Sequence, residues 1–327
     1  MDSNRHAPRI GERVRNAKGG ASRPSHFSLT GAAVPLASPL LQSTWRPRVG
    51  PVRSLPGLMR IIRFTDTEGC THWGEEAVCG AVAPVLEGNP YTGLTPSGAS
   101  ATVASLLSPI EPVNIFCIGL NYREHAVESG EEIPRHPVIF MKPTSTVNCC
   151  GGPIRVPACQ LKGPEVDYEG ELAVVIGRAC RDVSAERALD FVLGYTCAND
   201  VSARRWQMHA GAGQWIRGKS FDTFCPLGPA LVTADEIADP QALGLRTVIN
   251  GQVMQDHTTG DMIFPVAELI SFLSRDTTLL PGTVILSGTP QGVGFARKPP
   301  VWLQPGDEVT VEIEGIGRLT NPVVAAD

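Results

Sequence analysis

The fold of this chain is decided by one stretch of sequence, Val166-Asp-Tyr-Glu-Gly-Glu-Leu-Ala-Val-Val-Ile-Gly177. Side chains at alternate positions of a β-strand lie on the same face, so a strand here places Asp167, Glu169 and Glu171 side by side. The continuous apolar run of residues 172–176 then enters a core, where a strand can be buried on both faces. The stretch therefore predicts a core strand that begins in a row of three carboxylates.

Strands dominate the rest of the chain as well. Short apolar runs predict strands at residues 59–64, 114–119 and 138–141, and the turn Asn250-Gly251 predicts a hairpin over residues 247–253. Helices are expected at residues 122–129, 185–192 and 265–272, and further strands at residues 282–286 and 308–313. Since the sequence shows no repeat and no alternation of strands with long helices, we expect a β-rich α+β fold with few helices.

Length and composition exclude several classes of protein. The chain has 327 residues, of which 42% are hydrophobic and 19% charged, so it can build a folded core. No segment approaches the roughly 20 apolar residues that a membrane span needs. The formal net charge of −5 argues against a nucleic-acid partner held by phosphate contacts. The nine cysteines form neither a CxxC pair nor a zinc-type cluster, so we expect reduced thiols in a reducing compartment.

The first part of the chain differs from the remainder in charge. Residues 1–58 hold nine Lys and Arg but only two acids, together with seven prolines. Such a segment buries little apolar surface and should lack a stable fold. Its composition is typical of an organelle transit peptide, but a disordered tail or translation upstream of a start at Met59 explains it as well. We expect a disordered basic extension over residues 1–58, a small strand-rich unit over residues 59–110 and a larger domain over residues 111–327.

Carboxylates are the first group of candidate functional residues. Asp200 follows a predicted strand that ends at Thr196, at a position where loops present functional groups. With Glu169 and Glu171 it would form a set of hard oxygen ligands, which suits Mg²⁺, Mn²⁺ or Ca²⁺ rather than zinc. Two plainer interpretations stay open: the acids of residues 167–171 form a solvated strand face, and Asp200 caps a helix.

Basic and hydroxyl side chains form a second group. Lys219 directly follows a glycine, and Thr289 lies in the glycine-rich turn of residues 287–294. The turn lacks the residue order of a P-loop, so we expect its amides and the Thr289 hydroxyl to approach a ligand directly. His125 and Glu128 are three residues apart on a predicted helix, where a carboxylate can orient an imidazole base. Taken singly, Lys219 also fits a surface charge, and the His125–Glu128 pair a surface salt bridge.

Several motifs occur together in the order typical of the fumarylacetoacetate hydrolase superfamily. They are Gly119-Leu-Asn-Tyr-Arg-Glu-His-Ala-Val-Glu128, Asp167-Tyr-Glu-Gly-Glu171, Asn199-Asp-Val-Ser-Ala-Arg204, Gly218-Lys-Ser-Phe-Asp222 and Ser287-Gly-Thr-Pro290. The chain resembles this superfamily over about residues 59–325. Through residues 218–229 and 297–301 it most resembles the fumarylacetoacetate hydrolase domain-containing protein 2 subgroup. The resemblance implies a mixed β-roll, a catalytic domain over residues 111–327 and a homodimer.

The resemblance also implies roles for individual residues. They fall into three groups: metal ligands, a lid dyad with a charge-stabilising lysine, and contacts to the oxo-acid head of the substrate. In that order they are Glu169, Glu171 and Asp200; His125, Glu128 and Lys219; and Lys142, Gln207 and Thr289. Asp167 is the leading acid of its motif and would support the ligands without binding the metal, which the resemblance implies is Mg²⁺ or Mn²⁺.

The implied activity is that of a divalent-metal-dependent enzyme acting on 2-oxo or enol dicarboxylic acids, with the metal stabilising an enolate. We favour enol–keto tautomerisation of oxaloacetate. The alternatives are hydrolytic C–C cleavage of acylpyruvate-like or fumarylpyruvate-like diketo acids, oxaloacetate decarboxylation, and a silent metal-binding family member. The expected partner is a small 2-oxo acid, with no nucleic acid and no membrane. The location would be the mitochondrial matrix if residues 1–58 are a transit peptide, and the cytoplasm otherwise.

Overall fold

The computed structural model of the protein describes residues 60–160, 162–210 and 213–326, and the predicted basic extension of residues 1–58 lies outside them. Strands make up most of the regular structure in this part of the chain. In chain order they are β1 (Arg60–Thr65), β2 (Thr71–Glu75), β3 (Val82–Asn89), β4 (Gly93–Thr102), β5 (Ser105–Leu107), β6 (Asn114–Gly119), β7 (Val138–Lys142), β8 (Val147–Cys149), β9 (Ile154–Val156), β10 (Val166–Asp167), β11 (Gly170–Ile176), β12 (Val192–Asn199), β13 (Ser202–Ala203), β14 (Cys225–Thr233), β15 (Gly244–Ile249), β16 (Gln252–Thr258), β17 (Thr283–Leu286), β18 (Glu308–Ile313) and β19 (Gly317–Ala325).

The helices are few and short. They are α1 (Arg123–Ser129), α2 (Ala185–Ala188), α3 (Arg204–His209), α4 (Trp215–Gly218) and α5 (Val266–Leu273). The helices predicted at residues 122–129 and 265–272 are confirmed. The helix predicted at residues 185–192 is shorter, because the chain tightens into a 3₁₀ turn after α2 and then enters β12. Among the described residues, no helix is long and apolar enough to cross a membrane.

The strands form three sheets. The largest has twelve strands and runs β4-β3-β2-β1-β14-β12-β11-β17-β6-β7, with β5 beside β1 and β8 beside β14. A five-stranded sheet runs β16-β15-β18-β19-β9, and β10 pairs with β13. The predicted hairpin is confirmed, since Asn250-Gly251 joins β15 to β16. Most ladders are antiparallel, but β17 is parallel to β6 and β9 to β19, so the fold is β-rich with mixed sheets, as predicted.

Strands β1 to β5 extend the sheet of the larger domain. β1 lies antiparallel to β14, with Ile61 opposite Leu231. β2, β3 and β4 then continue the sheet outward. Leu86 of β3 shares a hydrophobic cluster with Ile61, Leu231 and Val284, the last of which lies in β17. The strand-rich unit and the larger domain therefore share both a sheet and a core.

Strand β11 lies at the centre of the core, as its apolar run predicts. Leu172, Val174 and Ile176 belong to a cluster shared with α5 and the five-stranded sheet, whereas Ala173 and Val175 belong to the cluster beneath β1, β3 and β6. All five side chains are fully buried. Because β11 is packed on both faces, the carboxylates at its start are drawn into the interior of the protein.

Candidate active site

Three carboxylates meet at the adjoining ends of β11 and β12. Glu169 precedes β11, Glu171 lies within it and Asp200 follows β12. Gly170 is paired with Asn199 across the two strands, and the Asp200 amide donates to the Glu169 carbonyl over 2.9 Å. One oxygen of each carboxylate lies within 4.8 Å of the others, and all three residues are buried. The register of the two strands therefore assembles this group, which we call the acidic triad.

The prediction that Asp167 shares a strand face with the acidic triad is wrong. The strand is interrupted at residues 168–169, so Asp167 belongs to the short β10, which pairs with β13. Its carboxylate accepts the amide of Gly294 over 2.7 Å and the Nε–H of Arg204 over 2.8 Å. Asp167 thus supports a neighbouring base and a turn instead of completing a row of three acids.

Lys219 is buried against the acidic triad, so a surface position for it is excluded. Its Nζ donates to Glu169 Oε2, Asp200 Oδ2 and Ser202 Oγ, each over 2.7 Å. The other oxygen of Asp200 lies 2.7 Å from Nζ of Lys142, which also donates to the Lys219 carbonyl over 2.6 Å. Asp200 is therefore held between two ammonium groups. It does not cap the following helix, because the residue at the N-cap of α3 is the alanine after Ser202.

The charges around the triad move neighbouring pKa values in opposite directions. Burial raises the pKa of Glu169, but Lys219 and Arg204 outweigh burial and lower that pKa to about 2. Burial, then repulsion from Asp200 and Glu169, raises the pKa of Glu171 well above its ordinary value. Burial lowers the pKa of Lys219, but Asp200 and Glu169 raise it by more than burial lowers it. The net pKa is therefore raised, and the ammonium keeps its proton. Glu171 is thus the carboxylate whose charge the neighbouring cations leave least compensated.

The acidic triad fits a divalent cation. Its three donors are all carboxylate oxygens, the type that Mg²⁺, Mn²⁺ and Ca²⁺ prefer. Burial and the charges of Asp200 and Glu169 raise the pKa of Glu171, and a bound cation would offset this opposition to its ionisation. A solvated acidic strand face does not fit, because all three residues are buried.

Arg204 also lies beside the triad, although the motifs alone did not assign it a role. Its Nη1 lies 2.7 Å from Glu169 Oε1 and donates to Gln207 Oε1 over 3.0 Å, and its guanidinium lies over the ring of Phe295. Its Nη2 is buried and has no hydrogen-bond partner among the described residues. Because buried donors rarely stay unpaired, Nη2 is a candidate anion-binding group. The spacing of three residues between Arg204 and Gln207 on one helix was the available signal.

His125 and Glu128 form the predicted pair on α1. His125 Nδ1 lies 3.2 Å from Glu128 Oε2, and His125 is 8% exposed. The other carboxylate oxygen of Glu128 accepts the Gly292 amide over 2.9 Å, so α1 is tied to the glycine-rich turn. His125 lies near enough to Glu169 to contribute to lowering its pKa. His125 is therefore buried next to the triad, whereas Glu128 lies at the exposed end of the pair.

The glycine-rich turn donates its amides to carboxylates of the protein itself. The amides of Gly288, Gly292 and Gly294 donate to Glu171, Glu128 and Asp167 over 2.7, 2.9 and 2.7 Å, in that order. The Thr289 hydroxyl donates to the Gly170 carbonyl over 2.9 Å and accepts from Gln255 over 2.8 Å. The expectation that these three amides approach a ligand directly is wrong, because each holds an acid from a different segment.

A cavity of about 530 Å³ opens onto this group. The predicted site residues that line it are His125, Glu169, Glu171, Gln207, Lys219 and Thr289, and Arg204 lines it as well. Asp200 and Glu128 are not among the described residues of its wall, and they contact the cavity residues Lys219 and His125. Lys142 is also absent from that wall. Its contact with Asp200 makes it a support for the triad rather than the direct substrate contact that was expected.

The chain is similar in sequence to known proteins of one family. The family described as Fumarylacetoacetate (FAA) hydrolase C-terminal matches residues 114–324. "Oxaloacetate tautomerase fahd2, mitochondrial" of Xenopus laevis is 50% identical over 221 residues, which cover 67% of this chain and 68% of that protein. Its human counterpart, "Oxaloacetate tautomerase FAHD2A, mitochondrial", is 47% identical over 221 residues, which cover 67% of this chain and 69% of that protein.

Solved structures show the same relationship at the level of the fold. The crystal structure of 2-hydroxyhepta-2,4-diene-1,7-dioate isomerase from Mycobacterium marinum matches with a TM-score of 0.70 and 43% identity. The match covers 82% of this chain and 98% of that one. The stretch matched to the family contains the acidic triad, Lys219, Arg204 and the His125–Glu128 pair. The chain therefore belongs to the fumarylacetoacetate hydrolase family.

Proposed function

We propose that the protein is a divalent-metal-dependent tautomerase that interconverts the enol and keto forms of oxaloacetate. The observation that carries this proposal is the buried acidic triad, with Lys219 and Arg204 bonded to it at the wall of the cavity. Such an arrangement suits a small, negatively charged 2-oxo acid. The names of the Xenopus and human relatives, both oxaloacetate tautomerases, support this choice of substrate.

The metal would be held by Glu169, Glu171 and Asp200. We propose Mg²⁺ first, with Mn²⁺ and Ca²⁺ as the other candidates, since all three accept carboxylate oxygens. When bound, the ion would act as a Lewis acid and stabilise negative charge on the 2-oxygen of the substrate. Lys142 and the Gly288 amide would keep the carboxylates of Asp200 and Glu171 in place.

Lys219 and Arg204 would bind the charge of the substrate itself. The ammonium of Lys219 is fixed by three hydrogen bonds, so it need not reorganise as an enolate oxygen gains charge. Nη2 of Arg204 is the donor left for a substrate carboxylate, in a charge-assisted hydrogen bond. Gln207 and Thr289, which also line the cavity, would complete the polar contacts to the oxo-acid head.

His125 is the proposed proton carrier. When enol converts to keto, the enol O–H bond breaks and a C3–H bond forms, so one proton leaves oxygen and one reaches carbon. Nδ1 of His125 faces Glu128, which leaves Nε2 to exchange protons with the substrate. Since no other atoms are gained or lost, the reaction needs no co-substrate.

C–C hydrolysis of an acylpyruvate-like or fumarylpyruvate-like diketo acid is the second candidate function. The observation that favours it is the contact between His125 and Glu128 beside the cavity, since such a pair can activate a water molecule as a nucleophile. Decarboxylation of oxaloacetate would break the C3–C4 bond, release CO₂ and leave the enolate of pyruvate, with negative charge on the same 2-oxygen and without an activated water. The three reactions therefore differ in their products more than in the residues that they require.

The decay of the oxaloacetate enol, followed by its ultraviolet absorbance, tests the proposal. With protein and Mg²⁺ the absorbance should fall faster than in buffer, without release of pyruvate, and a chelator should abolish the acceleration. Release of pyruvate and a second acid from a diketo acid, with no acceleration of enol decay, would establish the hydrolase instead. Pyruvate and CO₂ from oxaloacetate would indicate the decarboxylase, and metal binding with no turnover of any substrate would indicate a silent family member.

We also propose that the protein is a homodimer in the mitochondrial matrix. The names of both relatives include the word mitochondrial, and residues 1–58 are strongly basic, which supports this location over the cytoplasm. β7 is the last strand of the large sheet and exposes Ile139 and Met141, a surface that a second copy could cover. Fractionation of cells expressing the full chain tests the location, and light scattering tests the mass. A cytoplasmic monomer would contradict both proposals.

A further inference from the structure

The cavity has two chemically different parts. One part holds Glu169 and Glu171 of the acidic triad together with His125, Arg204 and Lys219. The remaining wall includes the side chains of Phe140, Trp215, Met208 and Val138, which are apolar. Three of them are accessible to a ligand, since Trp215 is 38%, Met208 48% and Val138 37% exposed. We call these four residues the apolar wall.

The apolar wall begins at the catalytic lysine proposed above. The ring of Phe140 lies 5.0 Å from Nζ of Lys219, and the ring of Trp215 packs edge-on against Phe140 with the ring centroids 5.6 Å apart. Trp215 can take this position because residue 119 is a glycine. A Cβ atom there would lie 2.5 Å from the Trp215 ring and 3.5 Å from Val138. The fold thus places an aromatic surface directly beside the polar site.

The charges on the cavity wall disfavour a second negative group near the apolar wall. Among the described residues that line the cavity, the basic ones are His125, Arg204 and Lys219, all of which interact with Glu169 of the triad. Glu131 and Glu132 also line the cavity and are exposed, so they add negative charge at its outer part. A carboxylate placed beyond the triad would meet these two acids, and the described residues of the cavity wall offer no further base to pair with it.

The size of the cavity also favours a substrate that carries an apolar substituent. About 530 Å³ lies in the range of pockets that enclose drug-sized ligands, whereas oxaloacetate is a four-carbon acid. A small acid bound at the triad would leave the apolar wall uncovered. An aromatic substituent on C3 of the substrate would cover it, since aromatic pairs prefer the edge-on and offset contacts that Trp215 and Phe140 present.

We propose that the apolar wall binds an uncharged aryl substituent on C3 of a 2-oxo acid, so that the enzyme also tautomerises arylpyruvates. This inference rests on the proposed tautomerase function. The reaction is balanced in the same way, because a C3–H bond breaks in the keto form and an O–H bond forms in the enol. Trp215 and Met208 determine specificity here, since they contact the substituent and not the reacting atoms.

Phenylpyruvate is the probe that tests this inference, with oxaloacetate as the reference substrate. The full-length protein with Mg²⁺ should accelerate phenylpyruvate enol–keto exchange, and phenylpyruvate should inhibit oxaloacetate tautomerisation competitively. A six-carbon 2-oxo diacid, 2-oxoadipate, should inhibit about 10-fold more weakly because its far carboxylate meets Glu131 and Glu132. If the protein turns over oxaloacetate but phenylpyruvate is neither turned over nor inhibitory, this inference is overturned and the proposed function stays intact. If neither substrate is turned over, both the inference and the proposed function are overturned.

Variants of the apolar wall separate a specificity role from a structural one. Trp215→Leu should raise the KM for phenylpyruvate about 10-fold and change its kcat little, because uniform binding is lost. Met208→Lys should tighten inhibition by 2-oxoadipate about 10-fold, since it adds a cation to the wall. Ile216→Ser is the matched control: Ile216 is 54% exposed and is not among the described residues of the cavity wall, so all ratios should stay unchanged. Equal losses for both substrates in Trp215→Leu, or unchanged 2-oxoadipate inhibition in Met208→Lys, would contradict the assignment.

Discussion

Nε of Arg204 donates to Oδ2 of Asp167 over 2.8 Å, and both side chains are buried. The contact fixes the guanidinium while Nη1 reaches Glu169 and Nη2 stays free of partners in the described chain. Asp167 itself is not part of the acidic triad. A substitution at Asp167 therefore tests the contacts that position Arg204 without removing a proposed metal ligand.

We expect Asp167→Asn to weaken Mg²⁺ binding by about 10- to 100-fold, the usual effect of losing a group that orients metal ligands. It should also destabilise the protein by about 3–5 kcal/mol, because Arg204 loses one of its two buried carboxylate partners. Calorimetry and thermal unfolding measure the two effects. Asp256→Asn is the control, since Asp256 pairs with Arg246 at the exposed surface and should cost less than about 1 kcal/mol. Unchanged Mg²⁺ affinity in Asp167→Asn would show that Arg204 is positioned by other contacts.

Glu169→Ala should abolish Mg²⁺ binding and tautomerase activity, because a set of three carboxylate ligands cannot lose one cheaply. Glu171→Gln should also lose the metal but should make the metal-free protein more stable, since it replaces a carboxyl whose ionisation burial, Asp200 and Glu169 oppose. Thermal unfolding with and without Mg²⁺ distinguishes the two variants. Mg²⁺-dependent stabilisation that persists in either one would refute the assignment of the triad.

Binding of Mg²⁺ should release protons. The folded-state pKa of Glu171 is raised, so its neutral form is favoured without metal, and the free energy of unfolding falls as pH rises from the unfolded pKa to the folded one. A metal ligand must be deprotonated, so the apparent Mg²⁺ affinity should rise with pH until the folded pKa is passed. Calorimetry in buffers of different ionisation enthalpy measures the protons released. A binding enthalpy that is the same in every buffer would contradict this expectation.

His125→Ala separates the two leading reactions. If the protein is a hydrolase, the loss of its general base should cost about 10²–10⁴-fold in cleavage, whereas tautomerisation can retain part of its rate through proton exchange with water. Lys219→Ala should impair both reactions, because both develop charge on the same oxygen. The rates of enol decay and of pyruvate release in both variants decide the matter. A His125→Ala variant that cleaves diketo acids at the wild-type rate would exclude His125 as the base.

The glycine-rich turn should tolerate no side chain at Gly288. Its φ is +97°, and an added Cβ would lie 2.7 Å from the Asn121 side chain. Gly98 also has a positive φ, +80°, but an added Cβ there meets nothing within 4 Å. Gly98→Ala should therefore cost only the backbone strain, about 1–2 kcal/mol, and Gly288→Ala should cost about 1–3 kcal/mol more through overpacking. Gly288→Ala should also reduce Mg²⁺ affinity, because the Gly288 amide binds Glu171. Equal stability of the two variants would argue against a tight turn.

Local sequence patterns predicted the strands well because their signal is local. The apolar run of residues 172–176 and the Asn250-Gly251 turn each determine one element without help from distant residues. The prediction that Asp167, Glu169 and Glu171 share one strand face was wrong for the opposite reason. Alternation along a strand cannot reveal that Asp167 pairs with β13 while Glu171 pairs with β12, since this choice depends on distant partners.

The site was predictable as a set of residues more than as a set of contacts. The motifs identified the residues of the triad and Lys219, but burial decides their chemistry. Lys219 is buried and donates hydrogen bonds to Glu169 and Asp200 only because β11 and β12 bring these two acids together. Arg204 and Lys142 illustrate the limit: the partners of both are set by tertiary packing, so their spacing in the sequence does not distinguish substrate contact from support.

The position of β17 has a consequence for how the protein is made. β17 is formed late in the chain, yet it lies between β6 and β11 and runs parallel to β6. Pairing between strands so far apart in sequence slows folding, because the connecting chain must first be ordered. The glycine-rich turn that holds Glu171, Glu128 and Asp167 directly follows β17. A chain still emerging from the ribosome therefore lacks the contacts that gather these acids, and the enzyme should gain its metal and its activity only after β17 and the glycine-rich turn have been synthesised.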